Sequence, residues 1–308
     1  MRLILIGIFF FVLAHDRTHA SLLDDANKLY GGGKIAAALP LYKKAAVSGE
    51  NPTLCYFNLA NAYYRLDSIA QAIVFYKASL VGAPEFFRGR LNLAIAYYAL
   101  DELGECIACA TQALDLEPGS QKALLTLAAA YRKAGAYPEA ITAFERLALL
   151  APESEEPPLA LGQMYRDLDD PKESLRWFEA YPQNGKSAAA VLLCLADIYE
   201  SENDRSRARY YCEKAFQKDT TKQWIYYRMV TIDEKTGNTL VAFEESKQGV
   251  DRFPRFAEIA LLAGAIAFKL ERFEDARYYY RIAGENGSAG ALIGLENVRT
   301  RLANIREK

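Results

Sequence analysis

The sequence predicts an all-α solenoid of about eight helical hairpins, closed at its C-terminus by a capping helix. Three observations carry that expectation. Stepping 34 residues at a time from Ala38 meets Ala72, Cys106, Ala140, Ser174, Ala208, Ala242 and Ala276, a small side chain every time. The same step links Tyr63, Tyr97, Tyr131, Tyr165 and Tyr199, and it links Leu59, Leu93, Leu127, Leu161 and Leu195, each leucine followed by Ala or Gly. Within a period the apolar residues recur at i, i+3, i+4 and i+7, the spacing of one helical face. A repeat of this length with no insertion or deletion is the mark of a stacked-repeat architecture.

The chain begins with MRLILIGIFFFVLAHDRTHA: one Arg, an apolar run from Leu3 to Ala14, then a short polar stretch ending in Ala20. This is the anatomy of a signal peptide over residues 1–20, cleaved after Ala20, the alternative being an uncleaved N-terminal anchor, and the run is too short for an ordinary membrane span. No cysteine lies near the junction for lipid attachment. Removal of the leader takes away His15 and His19, the only histidines, so the remaining chain has no imidazole for a triad or a metal. It also leaves no integral membrane span.

The solenoid is expected over residues 21–287. In the first repeat "LLDDANKL" reads as a helix, and "YGGGK" at Tyr30 to Lys34 invites a phosphate-loop reading. A phosphate loop needs a preceding strand and usually a Ser or Thr after the Lys, whereas Ile35 follows here. The period instead places Gly33 at the break that Asp67, Asp101, Gly135 and Gly237 occupy elsewhere, an interhelical turn. In the second repeat "YFNLANAYYRL" and "AQAIVFYKASL" form the two helices of a hairpin, and Pro84 ends it; Pro118 and Pro152 end the next two.

Small residues in the second helices let two helices approach closely, where a Leu would push them apart. In the fifth repeat the acidic "DLDD" at Asp167 to Asp170 lacks the glycine and distal Glu of a calcium loop and reads as a turn. Pro182 then stops the second helix early and makes an irregular joint near 181–187. The tyrosine column fails at Asp233 in the seventh repeat, and Ala263 and Ala267 replace Leu and Tyr in the eighth. Residues 288–308, "AGALIGLENVRTRLANIREK" with what precedes it, read as a capping helix with a basic tail.

The hydrophobic share of 51%, the charged share of 25% and the net charge of -2 describe a chain that folds and has no long-range pull toward nucleic acid. Cys106 and Cys109 form a CxxC pair, but Cys106 sits in the small packing column, where a thiol behaves as a large alanine. Cys194 and Cys212 fall in paired helices. No cofactor and no metal are expected.

The columns together resemble the tetratricopeptide repeat: a Leu-Ala/Gly pair, a Tyr one turn later, a small residue in the second helix, an aromatic after it, and Pro at the end. The resemblance covers Leu22 to Gly287. The stretch from Leu22 to Leu100 also resembles exported repeat modules that accompany von Willebrand-type domain proteins in bacterial aerotolerance operons. The family implies a right-handed α-solenoid whose first helices line a concave groove. On that face this sequence places Asn27 and Tyr30, then Asn58, Asn61 and Tyr64, then Arg88, Asn92 and Tyr98, then Lys122.

Amides can bond both the N–H and the C=O of an extended peptide. The family's carboxylate clamp, matched here, meets Leu23, Asn27, Asn58, Arg88 and Asn92. One repeat on it meets Phe57, Asn61, Asn92, Lys122 and Thr126. Two of the three cations are missing in each register, so a peptide backbone is the expected ligand rather than a free C-terminus. The expectation is a non-enzymatic, exported scaffold that binds an extended partner segment in the cell envelope. The alternatives are a self-assembling module forming homo-oligomers and a thiol oxidoreductase using Cys106 and Cys109.

Overall fold

The structure, a computed structural model, describes residues 21–306. The leader read in residues 1–20, its cleavage point and both histidines lie outside the described residues. Among the described residues every regular element is an α-helix, and the helices fall into two compact units that divide after Pro152, residues 21–152 and 153–306. The first unit holds α1 (Leu22–Gly31), α2 (Ile35–Val47), α3 (Pro52–Arg65), α4 (Ile69–Val81), α5 (Phe87–Ala99), α6 (Leu103–Leu116), α7 (Gln121–Lys133) and α8 (Tyr137–Leu150). The second holds α9 (Glu156–Asp167), α10 (Pro171–Glu179), α11 (Ala188–Ser201), α12 (Arg205–Lys218), α13 (Gln223–Lys235), α14 (Thr239–Arg252), α15 (Ala257–Lys269), α16 (Phe273–Glu285) and α17 (Gly290–Arg306). Within each unit every helix packs on the next.

The small column is fully buried in each hairpin. Ala38, Ala72, Cys106, Ala140, Ser174, Ala208, Ala242 and Ala276 all have 0% exposure. The leucines Leu59, Leu93, Leu127, Leu161 and Leu195 are buried beside them. Where Gly stands after the leucine, the partner helix brings a ring into the vacated space: a Cβ on Gly162 would lie 2.6 Å from the Phe178 ring. Gly264 is occupied in the same way by Tyr280, at 2.7 Å.

The turns obey the same period. The residues with φ > 0 at the hairpin turns are Gly33, Asp67, Asp101, Gly135, Asp169, Asn203, Gly237 and Glu271. The N–H that follows each reaches back to close the helix end: Ser68 donates to the Tyr63 carbonyl at 2.9 Å, and Asp204 to that of Tyr199 at 2.8 Å. This is the Schellman closure, and it satisfies carbonyls that the helix end leaves open. In "YGGGK" Lys34 N–H closes on the Leu29 carbonyl at 2.9 Å, so the three glycines form the first of these turns. Two of the "DLDD" acids serve the turn: Asp169 takes the left-handed position and Asp170 caps α10 by accepting from Glu173 N–H at 3.1 Å.

Two departures from the period are compensated. Asp233, in the tyrosine column, is buried against Arg209, whose Nε donates to Asp233 Oδ2 at 2.8 Å while Nη2 donates to Glu245 Oε1 at 2.7 Å. Arg209 stands where the same step places Leu175 and Phe243, so the charge enters the core as a set. Second, α10 has nine residues against 13 or 14 in the other second helices. Past its end, the connection is tied to Glu155, which accepts from the Tyr181 hydroxyl at 2.7 Å and from Lys186 N–H at 2.9 Å. At the C-terminal end α17 packs on α16 and α15, burying Ala291 and Val298.

Glu271 is neither Gly, Asn nor Asp, yet it holds φ at 57°. Its one ion pair, to Arg301 at 3.7 Å, is exposed and contributes little. Glu271→Gly should therefore raise stability by about 1 kcal/mol in urea denaturation. Arg209→Ala should cost about 2–4 kcal/mol at pH 7, because it strands two carboxylates. Glu245 behaves in the opposite sense. Burial pushes its carboxyl above the usual range, with Arg209 opposing. The stability from its protonated form is present below the unfolded value near ~4.3 and is lost as pH rises through the folded value. Glu245→Gln should match or exceed the parent at pH 7 and lose that advantage toward pH 4.

Candidate functional site

The expected row of asparagines lies on the first helices of the first unit, and its members are bonded to one another. Asn58 Nδ2 donates to Asn27 Oδ1 at 2.9 Å, and one repeat on Asn92 Nδ2 donates to Asn61 Oδ1 at 2.9 Å. Each acceptor takes a second donor from the second helix of its own hairpin: Tyr42 Oη to Asn27 at 2.9 Å, and Tyr76 Oη to Asn61 at 2.6 Å. Both tyrosines are buried, and a buried phenol needs a partner. Burial raises the Tyr42 hydroxyl to about 12 and lifts that of Tyr76 well above its ordinary value, so both remain donors.

The asparagines are therefore struts first. The Oδ1 atoms of Asn27 and Asn61 each accept two hydrogen bonds within the fold, so two of the four amides have their acceptors occupied. What Asn61 and Asn92 still offer, among the described residues, is the Asn61 Nδ2 group and the Asn92 Oδ1. These are one donor and one acceptor side by side, held in place from beneath.

Asn61 and Asn92 line a cleft of about 150 Å³. Five residues read from the sequence line it: Tyr30, Asn61, Tyr64, Asn92 and Lys122. Arg65, Tyr76 and Ile95 complete the lining. The Arg65 guanidinium sits 5.2 Å from the Tyr30 ring centre, which holds it at the rim. Arg65 and Lys122 are the charged groups of the lining, and no carboxylate contributes to it. The cleft thus combines aromatic walls, one amide pair and positive charge.

Four expected residues lie elsewhere. Asn27 and Asn58 form the equivalent strut one repeat earlier. Arg88 packs its guanidinium 5.5 Å from the Phe57 ring centre. Tyr98 lies under Lys133, at 5.2 Å, and Lys133 pairs with Asp101 at 2.7 Å. Tyr76 escaped the sequence reading because it belongs to a second helix. Its signal was the pair Tyr42 and Tyr76 at the same 34-residue step.

In the second unit the first helices are joined by ion pairs instead: Lys235 to Glu200 at 3.1 Å, Lys269 to Glu234 at 2.5 Å, and Arg228 to Asp197 and Glu200. Those charges satisfy each other across neighbouring helices. The row in the first unit leaves polar groups open.

Residues 107–157 match the family model for the tetratricopeptide repeat. No curated protein matches the chain. Among solved structures, a tetratricopeptide repeat protein from Parabacteroides merdae is similar at 15% identity and a TM-score of 0.50, over 80% of this chain and 98% of that one. The MamA protein is similar at 21% identity and a TM-score of 0.52, over 56% of this chain and 94% of that one. The Naa15/Naa10 complex bound to HypK-THB contains a chain similar at 17% identity and a TM-score of 0.55, with 81% of this chain and 39% of that chain covered. At these identities the likeness is one of fold.

All five cysteines are free thiols. Burial raises Cys106 to about 11 and also lifts Cys109, so neither presents a thiolate at neutral pH. Iodoacetamide at pH 8 should leave Cys106 and Cys109 unmodified in the folded chain and reach the half-buried Cys194 first. Mass spectrometry with and without urea checks this.

Proposed function

We propose that this tetratricopeptide-repeat chain is an exported scaffold that binds an extended segment of a partner protein through the first helices of its first unit. The observation that carries the reading is the cleft of Tyr30, Asn61, Tyr64, Asn92 and Lys122. It offers an amide pair, Asn61 held by the buried Tyr76 hydroxyl and Asn92 bonded to Asn61, with aromatic walls and cations that no lining carboxylate neutralises. Pre-fixed groups lose little freedom on binding, which favours affinity from a small contact. The amide pair suits a main chain, and the charge suits a segment carrying Asp or Glu.

Among the fold neighbours, the Naa15/Naa10 structure is of a chain bound to other proteins, which accords with a scaffold role. The leader in residues 1–20 supports action in the cell envelope. The self-assembling and thiol-redox readings have weaker support: the CxxC thiols are buried.

Tyr64 and Lys122 line the cleft without belonging to a strut, so they can be changed with the framework intact. Tyr64→Ala combined with Lys122→Glu should lower recovery of a specific partner from envelope extracts about tenfold, with circular dichroism unchanged. Equal recovery of every protein by the variant and the parent would refute the groove assignment.

A further inference from the structure

The second unit contains a cavity of about 310 Å³ that the proposed function does not use. It opens beside the end of α10, where Pro182 follows a helix four or five residues shorter than the other second helices. The connection beyond that helix is pinned, and its Tyr181 and Gln183 contribute to the lining. The Tyr181 hydroxyl donates to Glu155 and in turn accepts from Ser187 N–H at 2.9 Å.

The lining is mixed: Phe178 from α10, Val191, Leu192 and Leu195 from α11 and the Tyr211 ring from α12 supply the apolar part, and Gln183 and Gln217 are among the polar groups. The volume is at the lower end of the ~300–1,000 Å³ usual for small-molecule sites, and an apolar pocket with a few polar groups at one edge is the usual form.

The edge has a sign. Lys214 and Lys218 stand one helical turn apart on α12, both exposed at the mouth. Among the described residues neither is paired with a carboxylate. Glu179 also borders the cavity, but its Oε1 accepts from the Tyr199 hydroxyl at 3.2 Å and, at 3.5 Å, from that of Tyr211. The two phenols hold this carboxylate in place, the Lys214 ammonium lies 5.5 Å from the Tyr210 ring centre, and the two lysines outnumber the one carboxylate of the lining.

We propose that this cavity binds a small anionic amphiphile, a carboxylate on a short aliphatic body. The apolar body lies against Phe178, Val191, Leu192 and Leu195, and the anionic head meets Lys214 and Lys218. The cavity lies wholly within the second unit, so the site is independent of the peptide cleft.

Isothermal titration of the full chain with octanoate, and separately with octylammonium, tests the sign and the place together. Octanoate should bind once per chain, and more tightly than octylammonium. Lys214→Gln with Lys218→Gln, both at exposed positions, should weaken octanoate about tenfold. Leu192→Trp, which fills the cavity, should abolish binding while the thermal transition stays cooperative. The proposal is overturned if octanoate gives no binding at millimolar concentration, if octylammonium binds as tightly, or if the lysine double variant binds octanoate like the parent.

Discussion

The close approach of paired helices at one small residue is the constraint on which the rest of this structure depends. At eight positions 34 residues apart that residue has no exposed surface. With a methyl, thiol or hydroxymethyl group at the contact, the large side chains are forced to the flanks, where the leucine and aromatic columns pack. The contact can be redistributed but not widened. At Gly162 and Gly264 the first helix gives up its side chain entirely, and a ring from the second helix, Phe178 or Tyr280, takes the space. The left-handed turn residue repeats with the same step because a hairpin of fixed spacing needs the same reversal each time.

This layer was legible in sequence because backbone geometry dictates it. Gly33 could be assigned to a turn from its register alone, and Pro182 could be read as an early helix stop. Side-chain bonding across elements was less legible. The asparagines were found by their place on one helical face, but periodicity within a helix says nothing about hydroxyls arriving from its partner. The hydroxyl bonds of Tyr42 and Tyr76 therefore went unread, and with them the first role of Asn27 and Asn61. Asp233 showed in sequence as a break in the tyrosine column. Its compensation by Arg209 and Glu245 comes from two neighbouring helices, so no single period displays it.

The two units spend their first-helix faces differently. In the second, Asp197, Glu200 and Glu234 pair with Arg228, Lys235 and Lys269 between neighbouring helices. Their charges are occupied before any partner arrives. In the first, the amide pair of Asn61 and Asn92 is anchored at one oxygen and open at its other groups, beside Arg65 and Lys122. Anchoring and openness together make this a candidate binding face: a free amide on a solvated helix would have to be ordered by its ligand.

That argument turns on the Tyr76 hydroxyl fixing Asn61. A double-mutant cycle of Tyr76→Phe and Asn61→Ala, read by urea denaturation, measures that link directly. The account predicts a coupling of about 1 kcal/mol, the net worth of a hydrogen bond to a half-buried amide. Strict additivity of the two substitutions would contradict it.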